Sequence, residues 1–397
     1  MKIVQLNATC GVGSTGKICV DISKLLTEKG IENYILYAQG NSDYPLGIKY
    51  AGEKYIKLQA LKSRVFGNYG FNSQYATKRL ITELEKIKPD IVHMHNMHSH
   101  NCHLELLFNY FRKTQIKVYW SFHDCWALTA YCPHFAMVGC DKWKTGCHNC
   151  ILYKDYSWFF DNSKKLYERK KSIFEGVNIT FITPTNWLAE VISQSFLKGY
   201  ECRILPYGLD TELFKPTESN FKEKYNLQDK HIVLGVAFGW GPKKGLDCFI
   251  ELSKHLPKNY QMVLVGTNDD VDKQLPDNII SIHRTQNQTE LAEIYIAADL
   301  FVNCTREETF GLVNVEALAC GTPVLTFKTG GSPEAIDESC GTVVEQNDMD
   351  SLEKEVIRIC EEKPYSEEAC RARALCFEKS QNYKKYLELY LDNSRKE

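Results

Sequence analysis

Glu308 and Glu316 stand eight positions apart in the stretch REETFGLVNVEALACGTPV, residues 306–324, with Gly311 between them and Gly321-Thr322-Pro323 behind. Phe310, Leu312, Val315 and Ala319 recur at helical spacing, Gly321 falls where a left-handed C-cap belongs, and Pro323 forbids continuation. A helix is therefore expected from near Gly311, which leaves Glu308 in the loop before it and puts Glu316 in its second turn. A diphosphate could sit on the free N–H groups of that helix start while the flanking carboxylates accept hydrogen bonds from the hydroxyls of two sugars. Upstream, Lys243 and Lys244 directly precede Gly245 and another helix, a position for cations that neutralise charge developing on a phosphate. The alternative for each lysine is a solvated helix start.

Other stretches carry chemistry of their own. Gly11, Gly13 and Gly16 spell G-x-G-x-x-G after the first apolar run. A dinucleotide site wants an acid after the second strand, where Gln39 and Asn41 stand, and a phosphate-binding P-loop wants Ser or Thr where Ile18 follows Lys17. What survives is a loop that permits close backbone approach and a helix start that favours an anion, or a tight turn with no ligand. His123-Asp124 ends the apolar run Val118 to Phe122, at a strand edge where an active-site residue belongs. His93, His95, His98, His100 and His103 alternate along one strand and its loop, point several ways, and receive no ligand role. Cys132, Cys140, Cys147 and Cys150 fall within 19 residues, the last two as C-x-x-C, and four thiolates would satisfy a tetrahedral, structural zinc. His134 or His148 could replace a thiolate, and a disulfide pair or plain buried thiols are the competing readings. Lys164, Lys165, Arg169, Lys170 and Lys171 share one expected helix with Leu166, Tyr167, Ile173 and Phe174, which reads either as a basic amphipathic surface for anionic lipid or as a solvated face.

The elements that must position these residues form an α/β pattern. Lys2 to Leu6, Asn33 to Tyr37, Ile91 to Met94, Val118 to Phe122 and Ile179 to Thr183 read as buried parallel strands separated by helix-length segments. The pattern restarts with His231 to Ala237, Gln261 to Val265, Ile279 to His283, Leu300 to Val302 and Pro323 to Phe327. Pro206, Gly208 and Pro216 interrupt periodicity between the two sets, so a first domain is read over 1–205 and a second over 206–377. The tail over 378–397 repeats Tyr383, Tyr386, Leu387, Tyr390 and Leu391 at helical spacing and is expected to be a docked helix joined to the first domain. At 397 residues, 44% hydrophobic and 25% charged, the chain suits two soluble domains. Its 48 Lys and Arg against 50 Asp and Glu give no electrostatic case for nucleic acid. No apolar run reaches membrane-spanning length and the N-terminus lacks a signal-peptide core, so a cytoplasmic protein with reduced thiols is expected despite its 16 cysteines.

Taken together, Lys244-Gly245-Leu246-Asp247, Glu308 with Phe310-Gly311-Leu312, the run Glu316 to Val324 and the pair Gly330-Gly331 resemble the nucleotide-sugar half of retaining glycosyltransferases of family 4. Gly11 to Gly16, PDIVHMHN, FHD and ILPYGLD extend the resemblance over most of the chain. It implies the GT-B architecture, two Rossmann-like domains facing across a cleft, with an N-terminal acceptor-binding domain and a C-terminal donor-binding one. It further implies that Gly13, Ser14, Lys243, Lys244, Glu308, Thr309, Phe310, Gly311, Leu312 and Glu316 bind a nucleoside diphosphate sugar, Glu316 through the ribose, Glu308 through the transferred sugar and the loop between through the diphosphate. His123, Lys244 and Glu308 become the catalytic set, His123 holding the donor sugar. Two departures are visible: Gly239 stands where the family commonly has Arg, leaving Lys243 as the nearest second cation, and Thr309 replaces a more usual glycine. Retention without an obvious nucleophile implies front-face displacement, which requires no metal cofactor. The expected acceptor is a glycan or lipid-linked glycan of cell-surface or exopolysaccharide synthesis, met at the inner, anionic face of the membrane. A sugar-nucleotide 2-epimerase is disfavoured by the E-x(7)-E spacing, and a non-catalytic partner protein would be expected to lack Glu308 or Lys244.

Overall fold

The computed structural model describes residues 1–394. Two compact units divide the chain: Met1–Pro206 with the residues from Asn382 on, and Tyr207–Gln381.

In the first unit, β1 (Lys2–Asn7), β2 (Glu32–Tyr37), β3 (Gly47–Lys49), β4 (Ile91–Met94), β5 (Lys117–Ser121), β6 (Ile179–Thr183) and β7 (Glu201–Ile204) form one parallel sheet in the order β3-β2-β1-β4-β5-β6-β7. Parallel strands need helical crossovers, and helices on both faces bury both sides of the strand, which is why the runs are mostly apolar. Ile3, Val4, Leu6, Leu36, Val92, Met94 and Val118 are all fully buried. In the second unit, β8 (His231–Val236), β9 (Tyr260–Val265), β10 (Ile279–Ile282), β11 (Leu300–Asn303), β12 (Val324–Phe327) and β13 (Gly341–Val344) form a parallel sheet in the order β10-β9-β8-β11-β12-β13. The α/β class expected from the alternating pattern is therefore present in both units.

Each sheet reverses its winding once, between β1 and β4 and between β8 and β11. The loops leaving the carboxyl ends of strands at such a reversal diverge and open a crevice. Gly11 to Gly16 leave β1 and His95 follows β4, while Lys244 follows β8 and Glu308 follows β11. The C-terminal helix, Lys379–Ser394, packs on the first unit's sheet, where the Tyr390 hydroxyl meets His93 Nδ1 at 2.5 Å and Tyr119 donates to the Leu389 carbonyl at 3.1 Å. Residues 395–397 of the expected helix lie outside the described residues.

Candidate active site

In the second unit the helix after β11 is Leu312–Ala319, and it begins at Gly311 in the left-handed region, φ 82°. No side chain caps this helix, so its first-turn N–H groups are not covered by one. Its second residue pair is fastened from below: Asn314 accepts from Asn303 at 2.8 Å and donates to Ser332 Oγ at 2.9 Å, and Ser332 reaches Thr326 Oγ1 at 2.8 Å. This buried network ties the helix start to the ends of β11 and β12. Leu312 and Val313 face a cavity of about 220 Å³ whose wall includes Phe238, Trp240 and Phe249 and whose polar groups include Lys244 and Glu308. Glu316 stands one turn beyond Val313, where the Tyr295 hydroxyl donates to its Oε2 at 3.0 Å.

Lys244 and Glu308 form an ion pair, Nζ to Oε2 3.0 Å, and the second oxygen of Glu308 accepts from the Thr309 N–H at 3.1 Å. Two glycines hold the pair in place. A Cβ on Gly330 (φ +54°) would come within 1.9 Å of the Glu308 carbonyl oxygen, and the Gly331 N–H donates to that same oxygen at 3.0 Å. A Cβ on Gly245 (φ +74°) would lie 2.4 Å from the Cys304 carbonyl oxygen. The Gly-Gly pair thus lets one turn press against the backbone of the catalytic candidate, and Gly245 lets the lysine turn press against the end of β11. Lys243 pairs with the nearly buried Glu307 at 2.9 Å. The loop residue Arg306, to which no role was given from the sequence, grips Asp247 with two bonds of 2.7 Å and also donates to the Pro242 carbonyl and Asn347. It fixes the loop carrying Glu308 to the turn carrying Lys244. Thr309 and Phe310 are buried in this loop, and Phe310 packs edge-on against Tyr207 and Phe377.

The first unit supplies a histidine chain. Gln5 Nε2 donates to the Cys19 carbonyl at 2.9 Å, Gln5 Oε1 lies 3.2 Å from His95 Nε2, and His95 Nδ1 lies 3.1 Å from His123 Nε2. Burial lowers the pKa of His123 to about 4 and of His93 to about 3, and puts His95 well below the ordinary range. Asp124 opposes the burial that would raise it by binding His98 at 2.9 Å and the Trp126 N–H at 2.8 Å, and is held at about 2. His103 caps the helix Leu104–Thr114, and His93 is spanned by Ser121 and Tyr390, so these two rings have structural partners. Gly11 (φ +72°) and Gly13 (φ +70°) start the helix Gly13–Glu28, which also lacks a side-chain cap, and Gly13 and Ser14 are exposed at its tip.

Cys132, Cys140, Cys147 and Cys150 all line one cavity of about 20 Å³, room for a single atom-sized guest. The Ala130 N–H is directed at the Cys147 sulfur and the Leu152 N–H at the Cys150 sulfur. All four are thiols, and burial raises Cys132 to about 12 and Cys147 to about 11. The set fits a tetrahedral ion in type and number but not in closeness. Among the described residues the group whose ligand atoms all lie within 4.8 Å of one another is Asp269, Asp272 and His283 instead.

The basic helix requires a correction. Over Ser163–Ile173, Leu166, Tyr167 and Ile173 are buried in the core, so the apolar face is not available to lipid. Lys170 is itself fully buried, donating to the Trp126 carbonyl at 2.7 Å with its ammonium 3.5 Å from the centre of the Trp126 ring, and Arg169 binds Glu105 at 2.5 Å. Two of the five cations therefore hold the fold together. Sequence spacing showed the amphipathic pattern but not which side the core takes.

Two parallel sheets of this topology are those of the GT-B fold, and in the second an uncapped helix start is flanked by two carboxylates and a lysine. Residues 217–374, most of the second unit, match the family described as glycosyl transferases group 1. WcaC of Escherichia coli (strain K12), ascribed to colanic acid biosynthesis as a glycosyl transferase, is 22% identical over 382 residues, 88% of each protein. A GDP-mannose-dependent phosphatidylinositol monomannoside mannosyltransferase of Mycolicibacterium smegmatis is 30% identical over 169 residues, 37% of this chain and 44% of that one. In fold, the chain is similar to sucrose-phosphate synthase of Thermosynechococcus elongatus (TM-score 0.73, 17% identity, 100% of both chains). It is also similar to Anabaena HepE solved with UDP-glucose (TM-score 0.70, 13% identity, 99% of this chain and 100% of that one).

Proposed function

We propose that this protein is a retaining glycosyltransferase of family 4 that moves a sugar from a nucleoside diphosphate donor to a glycan or lipid-linked acceptor in cell-surface or exopolysaccharide synthesis. The observation that carries the reading is the Lys244–Glu308 pair at the cavity beside the uncapped start of Leu312–Ala319. In this reading the diphosphate lies against the helix start, where N–H groups and the helix dipole favour negative charge. Lys244 neutralises the charge that builds on the departing phosphate, and Glu308 orients both that lysine and the sugar hydroxyls. Glu316, steadied by Tyr295, takes the ribose hydroxyls. The family resemblance assigns His123 to the donor sugar and Gly13 and Ser14 to the diphosphate. The leaving phosphate accepts the acceptor's proton on the same face of the sugar, so no side-chain nucleophile is needed. HepE, whose structure contains UDP-glucose, and WcaC, ascribed to colanic acid, support the donor and acceptor classes.

No helix among the described residues is long and apolar enough to cross a membrane, and the proposed site of action is the cytoplasmic face of one. The test is a panel of UDP-, GDP- and ADP-sugars scored first by thermal stabilisation and then by hydrolysis and transfer, with the anomeric configuration of the product read by NMR. At least one donor is expected to stabilise the protein and be turned over with retention. Stabilisation without turnover by any donor would favour a non-catalytic binding partner, and inversion would remove the front-face mechanism.

A further inference from the structure

The helix Glu53–Phe66 in the first unit turns part of its apolar surface outward. The side chains it buries are Ile56, Gln59 and Ser63, whereas Leu58 and Leu61, three positions apart on the opposite face, are 47% and 49% exposed, and Phe66 at its C-terminal end is 55% exposed. A surface helix ordinarily turns its largest apolar residues inward. Beside its C-terminal end lies a loop with three consecutive aromatic residues, Trp158, Phe159 and Phe160, which are 51%, 65% and 53% exposed. The loop is fastened there: the Trp158 N–H donates to the Arg64 carbonyl at 2.7 Å, and Asn162 donates to the Phe66 carbonyl at 2.9 Å. Helix and loop thus present one apolar surface, of a kind that soluble surfaces seldom leave uncovered without a purpose.

The helix side of this surface is positively charged, and of the exposed acids that flank the aromatic loop, Asp161 accepts from the Cys150 and Ser163 N–H groups while Asp155 stands three positions before Trp158. Lys54, Lys57, Lys62 and Arg64 are exposed on the same helix, and its one acid, Glu53, is engaged by Lys49 and by the Gly40 N–H. Aromatic side chains at the rim of an apolar patch, with lysine and arginine on the adjoining helix, match the headgroup boundary of an anionic bilayer, where Trp and Phe insert and cations meet lipid phosphate. We infer that the helix Glu53–Phe66 and the loop Trp158 to Phe160 dock the first unit on an anionic membrane surface. The basic helix Ser163–Ile173 is excluded from that role by its buried apolar face.

This inference does not depend on sugar transfer, and its test uses the full chain without a nucleotide sugar. Flotation with phosphatidylcholine vesicles containing phosphatidylglycerol should carry the protein, with binding weakened by salt, and pure phosphatidylcholine vesicles should carry little. Reversing Lys54, Lys57, Lys62 and Arg64 to Glu should lower binding at least about a hundredfold. Replacing Trp158, Phe159 and Phe160 by Ser should lower it at least about tenfold. These residues are exposed, so both variants should melt like the parent. Loss of binding on neutralising Lys164, Lys165 and Lys171, with the other variants unaffected, would overturn the assignment. So would a parent that ignores anionic vesicles, or one that is a dimer which these variants dissociate without any lipid binding.

Discussion

Lys244 has its charge already occupied by Glu308, which decides what its removal should do. In the proposed reaction, losing the ammonium removes a preorganised stabiliser of the leaving phosphate and breaks the ion pair that holds Glu308. Lys244→Ala should therefore lower turnover by roughly two to three orders of magnitude. Glu316→Ala, one turn into the helix and away from the leaving oxygen, should mainly weaken nucleotide binding. Steady-state kinetics with a verified donor separates the two, and near-normal kcat in Lys244→Ala would refute the role. The histidine chain gives a second residue-scale prediction. Gln5 commits its amide nitrogen to Cys19, so its oxygen accepts from His95 Nε2; neutral His95 then accepts through Nδ1, and His123 must donate through Nε2. Long-range 1H–15N correlation should show His123 protonated on Nε2, and the opposite tautomer would break the chain. Because burial lowers these histidines, to about 4 for His123 and about 3 for His93, the unfolded chain binds protons first as pH falls from about 6.5. Their stability contribution is complete above that pH and is lost on descending through about 4, which urea midpoints measured across that window should follow. The motif residues were legible in sequence because Glu308, Gly311 and Glu316 are neighbours along the chain. Arg306 and His95 act through partners 59 and 28 positions away, which no local pattern displays.

At the scale of elements, the central strands and the edge strand β10 were legible, and the other three edges were not. β1, β4, β5, β8 and β11 are mostly apolar runs because both faces are covered. β3, β7 and β13 are only three or four residues long, and β7 is mostly exposed, so they lack the apolar signature and show only in the pairing. The basic helix failed for the converse reason, since its charged residues include Lys170, which the core accepts by way of Trp126. The cysteine loop remains a proposal of this scale. Its four thiols surround one small cavity, and two of their sulfurs receive backbone N–H groups, the donors that a metal-bound thiolate would use. An ion there would deprotonate the sulfurs that burial otherwise keeps as thiols and draw them together, stiffening the loop that follows His123. Protein purified without a metal-affinity tag or added zinc should carry about one zinc per chain. Cys147→Ser with Cys150→Ser should remove it and open the loop to protease. Folded, active and zinc-free protein would end the proposal.

On the scale of the whole molecule, the chain leaves the first unit after Pro206 and returns to it from Asn382 on. The spacing of Tyr383, Tyr386 and Tyr390 showed that the last helix docks, and the resemblance to a known architecture indicated where; composition alone could do neither. In the structure Tyr386 and Tyr390 are fully buried, Tyr386 stacks on His93 at 5.8 Å, and Tyr390 closes the other ring nitrogen of that buried histidine. A chain ending at Gln381 keeps every strand of both sheets, yet it uncovers His93 and Tyr119 and leaves His93 Nδ1 without its partner. Two large aromatic side chains lost from a core are worth about 4–6 kcal/mol by buried area alone, and the orphaned histidine adds to that. The sum approaches the whole stability of an ordinary domain. The truncated protein should therefore show a first unit that melts early or not cooperatively, while the second unit, which lies wholly within Tyr207–Gln381, keeps its own transition and any stabilisation by nucleotide. Calorimetry with and without a nucleoside diphosphate reads both outcomes. A truncated protein with the parent's melting profile would show that the helix only rests on the first unit and does not complete it.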